Sequence, residues 1–501
     1  MLGLGLGVNL QRVVISLINR LLSILKGRST YFENESATKS LLNALNTDGL
    51  LEKASILITP TAYSDGKINS AKPIDPLGSE QVVNGDYNQS GTGNAVSQSG
   101  GLFVNIGGSL KITSDGSSAF SRAVWDTYGT SGQTFIVKAN IVSKTGSVRF
   151  INVSNNQGVA INVGSFSQTT TLGSGGGFLG FGGLADSGFE IILDNLSIKE
   201  VTDADLNFTR GSAGTRVNAQ GLIENSQGNN IPRINYKDGV GSWLIEPQST
   251  NLYLNSALIV TQNITTLASS YTVSFYGTGT ITFTGTYSGS LTGTGVNDRV
   301  SITFTTTSGT LTSTVSGTVT QGQAEQGEKT SYIPTNGSVQ TRLAETASRS
   351  GLGDLIDSTQ GVFYAEISAL YDNSEDDLRW ISLNDNSTSN LVAIYYYKAT
   401  NTIGVQLRVD NVQVFRNDNI PITSKTDFIK IAFKWKQDDV SIYVDGTQKA
   451  SSTSVNSFNS GVLNRFSFDG GNQLPSFYGN AKVLAVFPIL TDEELTCLTT
   501  T

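Results

Sequence analysis

A chain of 501 residues is too long for one hydrophobic core, so several domains are expected. With 54 Gly, 15% charged residues and a net charge of −8, it suits short strands and tight turns, and it lacks the clustered Lys and Arg that a nucleic-acid surface needs. The absence of histidine excludes Ser-His-Asp and Cys-His catalysis, and the single Cys497 excludes an internal disulfide framework.

Residues 1–28 open with LGLGLG and continue as a helix. Its apolar residues Leu10, Val13, Val14, Leu17, Ile18, Leu21, Leu22 and Leu25 fall at the 3–4 spacing of an amphipathic stripe. Arg12, Arg20, Lys26 and Arg28 make this piece +4 and leave −12 for the remainder. A second, weaker helix covers Ser36–Leu51, with Leu41, Leu42, Leu45 and Leu50. Two short helices cannot cover so much apolar surface. The stripe is therefore expected to pack against copies of itself or against another protein, and a helix lying on a membrane is a third reading. Ser16, Asn19 and Arg20 interrupt the apolar stretch and no basic residue precedes Leu2, so no signal peptide is expected. Nor does any window approach the ~20 apolar residues of a membrane span. Residues 1–51 read as a helical anchor. Residues 52–84, with Pro60, Pro73 and Pro76, read as an extended linker.

The first β block spans 85–202. Phe135, Val137, Ala139 and Ile141 alternate with other positions, as a half-buried strand requires. The opening Asn84-Gly85-Asp86-Tyr87 and the closing Phe189–Glu200 resemble the first and last strands of carbohydrate-binding-module jelly rolls. Gly175–Gly180 formally matches G-x-G-x-x-G, but a dinucleotide site needs a helix after it. A further strand follows here, so these glycines read as turn or bulge residues.

Residues 203–251 form a connector. Phe208–Glu224 carries F-T-R-x-S-A-x-T-R-V-N-x-x-G-L-I-E, Asn230–Arg233 carries N-x-P-R, and Trp243–Leu252 carries W-L-I-E-P-Q-x-T-N-L. This pattern resembles a connector that recurs in fibre and appendage proteins of tailed bacteriophages. The resemblance implies a virion structural protein, a head fibre or a tail fibre, assembled as a homotrimer. Its N-terminus would attach to a capsid or tail protein. Head attachment is preferred, because the anchor is short and no long heptad or β-helical shaft is visible.

The second block, 252–346, carries the period-2 strands Tyr271–Tyr276, Thr280–Thr284 and Arg299–Phe304. Its closing Thr330–Thr335 resembles the module that follows the connector in phage fibres. In the third block, 350–501, Ile403, Val405, Leu407 and Val409 alternate, as do Ile429, Ile431, Phe433 and Trp435. Asp445-Gly446 predicts a tight hairpin. Thr491 with Glu494 predicts a capping box for a terminal helix. Tyr443-Val-Asp-Gly446, Gly479–Phe487 and Leu490–Leu495 in that order resemble the laminin-G-like, concanavalin-type jelly roll. The expected fold class is mainly β, with a short N-terminal helical anchor followed by three tandem β-sandwich or jelly-roll domains.

Paired carboxylates are the remaining route to catalysis, as in glycosidases. Asp376/Asp377 and Asp438/Asp439 do not qualify, because strand neighbours point to opposite faces, and Glu493/Glu494 belongs to the helix cap. Cys497, with no His to activate it, reads as a packed thiol. The candidate glycan-contacting rings are Trp380, Tyr395, Tyr396 and Tyr397, since at least one of three consecutive tyrosines on a strand must face outward. Strand packing or a subunit interface is the competing reading for them. No cofactor is assigned. The laminin-G resemblance admits a structural calcium ion, but no D-x-D-x-D cluster appears and no ligands are named. The expected function is a non-enzymatic virion fibre that adheres to host-surface glycans, without nucleic-acid binding or membrane insertion. The alternatives are a polysaccharide depolymerase and a secreted bacterial adhesin, the latter disfavoured by the missing signal peptide.

Overall fold

The computed structural model describes residues 17–500 apart from 28, 34, 46–48, 74–76, 90, 118–119, 128, 130–132, 154–156, 174–176, 185–187, 202, 372–378, 398–400 and 473–475. The chain is mainly β, as the composition requires. It divides into two compact units, one of Met1–Ile74 with Ala204–Thr501 and the other Asp75–Asp203.

The unit Asp75–Asp203 is a two-layer sandwich. One sheet runs, in spatial order, Gln157–Ala160, Val148–Asn152, Phe178–Leu184, Phe120–Asp126, Ala95–Gln98. The other runs Gly164–Thr171, Thr134–Thr145, Glu190–Val201, Leu110–Ser114, Gly101–Asn105, with Leu77–Glu80 also against Glu190–Val201. Phe135, Val137, Ala139 and Ile141 all face the core, as their alternation predicts, and meet Trp125, Phe150 and Phe181. Of the Gly175–Gly180 run, Gly175 and Gly176 lie outside the described residues, and Gly180 is not a turn residue. Gly180 lies within the strand Phe178–Leu184, where a Cβ would sit 2.1 Å from the Ala123 carbonyl oxygen. Close approach of two backbones, not a bend, demands glycine there.

In the other unit, residues 252–346 form their own sandwich. Gln262–Thr266, Gly309–Ser316, Thr280–Gly285 and Gly289–Thr292 make one sheet, and Gly295–Thr305, Ser270–Gly277 and Val319–Gln326 the other. Val273, Phe275, Ile281, Phe283 and Leu311 fill the space between them.

The jelly roll of the third block is larger than its sequence block. The strand Gly479–Phe487 pairs with Gln360–Ala369, with Ile56–Ser64 and with the connector strand Val240–Ile245. Lys67–Lys72 pairs with Ile56–Ser64, and Leu206–Thr209 pairs with Thr346–Ser350. Residues 52–84 are therefore not an extended linker; most of them up to Lys72 are strands built into the jelly roll. The physical reason is that Ile56–Ser64 is covered on both faces. Ile56, Ile58 and Tyr63 point into the jelly-roll interior, while Leu57 and Ala62 point to a second apolar layer. A strand buried on both sides shows no alternation, and Pro60 completes the disguise.

That second layer is made by helices. Residues 17–27 are helical, followed by Glu35–Leu45, Leu50–Lys53 and the terminal Asp492–Thr500. Ile18, Leu21, Leu22 and Leu25 are buried in one cluster with Leu42, Leu45, Leu51, Val362, Tyr364, Ala432, Val483, Phe487, Leu495 and Leu498. The described part of the apolar stripe, Leu17 to Leu25, thus has a partner within its own chain, which corrects the expectation of a free anchor. The strands Gln360–Ala369 and Gly479–Phe487 are apolar on both faces, and the helices cover the outer one.

Both local predictions in this region hold. Asp445 and Gly446 have φ of 45° and 77°, as a tight hairpin between Val440–Val444 and Thr447–Ser452 needs. The Thr491 N–H donates to Glu494 Oε2 at 2.9 Å and the Glu494 N–H donates to Thr491 Oγ1 at 3.3 Å, closing the capping box.

Candidate site at the connector joint

The charged residues of the connector motif converge. Arg210 follows the strand Leu206–Thr209, Arg233 precedes Ile234–Lys237, and Glu246 follows Val240–Ile245. All three are buried, together with Arg342 and Glu345 from the end of the second sandwich. Arg210 pairs with Glu345 at 2.7 Å. Arg233 reaches both Glu345 and Glu246 through Nη2, each at 2.7 Å, and Arg342 lies 3.0 Å from Glu246. Most of the remaining donors are also used. Arg210 donates to the carbonyls of Ser212 and Gly228, Arg233 to that of Thr215, and Arg342 to that of Pro247. Ser331 adds a hydroxyl and a backbone N–H to Glu246, both at 2.6 Å.

Burial alone would push the Glu246 carboxyl up. Arg342 and Arg233, with the Ser331 donors, outweigh it and hold the group at about 2. Arg233, although buried, is raised above its ordinary value by Glu345 and Glu246. Two carboxylates are therefore brought onto one guanidinium, but both are ion-paired and shut off from water.

The sequence motif supplies three of the five charged residues of this network, Arg210, Arg233 and Glu246. Arg342 and Glu345 complete it from outside the motif, and their signal in the sequence is Thr341-Arg-Leu-Ala-Glu345 at the end of the second block. A smaller cluster ties the N-terminal segment to the connector. There Arg216 pairs with Glu33 at 2.7 Å and with Glu224 at 2.8 Å, and the Tyr63 hydroxyl donates to Glu33 at 2.6 Å.

Beside the ion network lies a groove of about 480 Å³, lined among others by Ser212, Thr215, Tyr332, Asn336, Gln340 and Arg342. Its wall is mostly hydroxyl, amide and small apolar groups. The buried Arg342 Nε lacks a hydrogen-bond partner among the described residues.

The aromatic candidates fall elsewhere, and the structure corrects them. Tyr395 is 0% exposed and Trp380 7%; the two rings stack on each other at 4.0 Å. The Tyr395 hydroxyl donates to Asp418 at 2.5 Å. Tyr396 points into the jelly-roll interior, where its hydroxyl donates to the Ile367 carbonyl at 3.0 Å. Only Tyr397 keeps part of its side chain in solvent, packed beside Tyr395. Tyr395 and Tyr397 lie on the face opposite Tyr396, and Trp380 covers the first of them. Of the anchor residues, Leu10, Val13 and Val14 lie outside the described residues. Leu17 is partly buried against the helical layer, and Ile18, Leu21, Leu22 and Leu25 are buried in it. Among the described residues, no group of three His, Cys, Asp or Glu side chains gathers as a metal site.

No family model matches this sequence, and no curated protein matches it. Among solved structures it is similar to the CBM40 module of a Ruminococcus gnavus IT-sialidase bound to α2,3-sialyllactose, at 17% identity and a TM-score of 0.26, over 30% of this chain and 87% of that one. It is similar to domain 4 of AbnA, a GH43 extracellular arabinanase from Geobacillus stearothermophilus in complex with arabinotriose (14% identity, TM-score 0.26, 34% of this chain and 82% of that one). The tandem CBM22 domain of Paenibacillus barcinonensis Xyn10C matches over 54% of this chain and 97% of its own, at 14% identity and a TM-score of 0.21. At these scores the functional reading rests on the chain's own residues.

Proposed function

We propose that this chain is a non-enzymatic fibre or appendage protein of a tailed-bacteriophage particle that presents its β-sandwiches to glycans on the host surface. The observation that carries the reading is the joint. Arg210, Arg233 and Glu246 give the connector its fibre-like pattern, and all three are consumed in a dry ion network that fastens one module to the next. Residues spent in this way serve construction. The depolymerase reading ranks second for the same reason. A glycosidase needs an open cleft and one carboxyl kept protonated near neutral pH, whereas Glu246 is held ionised down to about 2.

Head rather than tail attachment, docking through the N-terminus and a homotrimer formed on docking to the particle belong to this proposal, with the sequence resemblance as their support. The buried residues Ile18, Leu21, Leu22 and Leu25 lend them none. The groove beside the joint is the proposed glycan position. Its volume suits one or two sugar rings, and the exposed Asn336 and Gln340 amides on its wall offer donors and acceptors to sugar oxygens. Calorimetry of the full chain with host-surface polysaccharide should give saturable binding, and Ala213→Trp, which fills the groove, should abolish it. Release of reducing sugar from that polysaccharide would overturn the non-enzymatic reading. Electron microscopy of intact particles, with the protein located by antibody, tests the virion assignment.

A further inference from the structure

The strand Gly101–Asn105 ends the second sheet of the unit Asp75–Asp203, paired with Leu110–Ser114 on one side only. The Ile106 N–H donates to the Ser109 carbonyl and the Asp115 N–H to that of Gly100. Gly101 is opposite Ser114 and Asn105 opposite Leu110, so Leu102 and Val104 share the ladder bonds. Gly101, Phe103 and Asn105 then turn their backbone groups to the open side. The Gly101 carbonyl accepts from Ser97 Oγ at 2.7 Å, whereas the N–H and C=O of Phe103 have no partner among the described residues.

The side chains on this strand are as open as its edge. Phe103 packs inward on the core, but Leu102 is 51% exposed, Val104 52%, and Ile106, just beyond, 48%. Edge strands are ordinarily protected by a Lys, a Pro or a bulge. Gly101–Asn105 carries none of these. The opposite edge of the same sheet, Gly164–Thr171, is by contrast built mostly of Ser, Gln and Thr.

An unpaired N–H and C=O call for a strand, and the uncharged apolar face calls for one whose alternate residues are apolar. The strand itself meets both requirements. Placed antiparallel on a second copy about a two-fold axis at Phe103, it exchanges both Phe103 backbone bonds and sets Leu102 opposite the partner's Val104. The pairing closes on itself, so no third copy can add at this edge. We propose that Gly101–Asn105 is a self-association edge that joins two copies of this chain by antiparallel strand addition. A contact of this size gives a weak, concentration-dependent pair.

Sedimentation velocity of the full chain over a concentration series should show a monomer–dimer equilibrium, and amide exchange at residues 101–106 should slow as the dimer forms. The double variant Leu102→Lys, Val104→Lys places like charges opposite each other on an already exposed face. It should stay monomeric with an unchanged circular-dichroism spectrum. A wild-type chain monomeric at its highest soluble concentration overturns the proposal. So does a dimer that the double variant leaves intact, or one whose exchange protection appears only elsewhere in the chain.

Discussion

The joint of Arg210, Arg233, Arg342, Glu246 and Glu345 and the helical layer over the jelly roll do the same mechanical task by opposite means. Each fastens segments far apart in sequence. The joint does it with directional, charge-assisted hydrogen bonds in a buried site, where the guanidinium donors meet specific carboxylate and carbonyl acceptors. The helical layer does it with Ile18, Leu21, Leu22 and Leu25 against Tyr364, Val483 and Phe487, contacts that many apolar side chains could make. Directional bonding restricts residue type at fixed positions and so leaves a motif in the sequence. Apolar burial restricts only the spacing of a stripe, and a stripe carries no address.

The strongest way to break the comparison is to remove one member of the joint. Glu345→Ala leaves Arg210 and Arg233 buried without their shared carboxylate, an expected loss of about 3–5 kcal/mol in urea unfolding of the full chain. A loss below ~1 kcal/mol would mean that the arginines find other partners and that the network is not tightly specified.

In the helical layer, Leu21→Ala removes only apolar contact and should cost about 2–5 kcal/mol, depending on how far the cavity collapses. Deleting residues 1–27 should uncover Val362, Tyr364, Ala432 and Phe487 and raise binding of a hydrophobic dye. A truncated chain as stable as its parent would restore the picture of a free anchor.

Acid separates the two fastenings without mutation. Glu246 sits at about 2 in the folded chain against an ordinary value of 4.5, so the unfolded chain binds its proton first. Its contribution, roughly 3 kcal/mol, is full above pH ~5 and is lost as the pH falls toward about 2. Stability followed from pH 6 to pH 2 should fall by at least this amount in the parent, since Asp469 and Glu224 are also held low, and by less in Glu246→Gln, after correction for that variant's own starting loss. The apolar layer has no such dependence. The smallest effect belongs to the terminal helix, where Thr491→Ala should cost about 1 kcal/mol and speed amide exchange in its first turn.

What could be read in the sequence follows the same division. Composition and period-2 alternation determined a mainly β chain, and local chemistry determined the Asp445-Gly446 hairpin and the Thr491–Glu494 cap, because each depends on a few neighbouring residues. The connector pattern marked Arg210, Arg233 and Glu246 before their partners were known. The tertiary structure alone decided that Glu345 and Arg342 complete them, because those residues arrive from about a hundred positions further along the chain. It also decided that Ile56–Ser64 is a doubly buried strand and that Trp380 covers Tyr395. The stripe of residues 18–25 meets a sheet in which the strands Gln360–Ala369 and Gly479–Phe487 begin more than three hundred residues later. Burial is a property of two surfaces at once, and a sequence shows only one of them at a time.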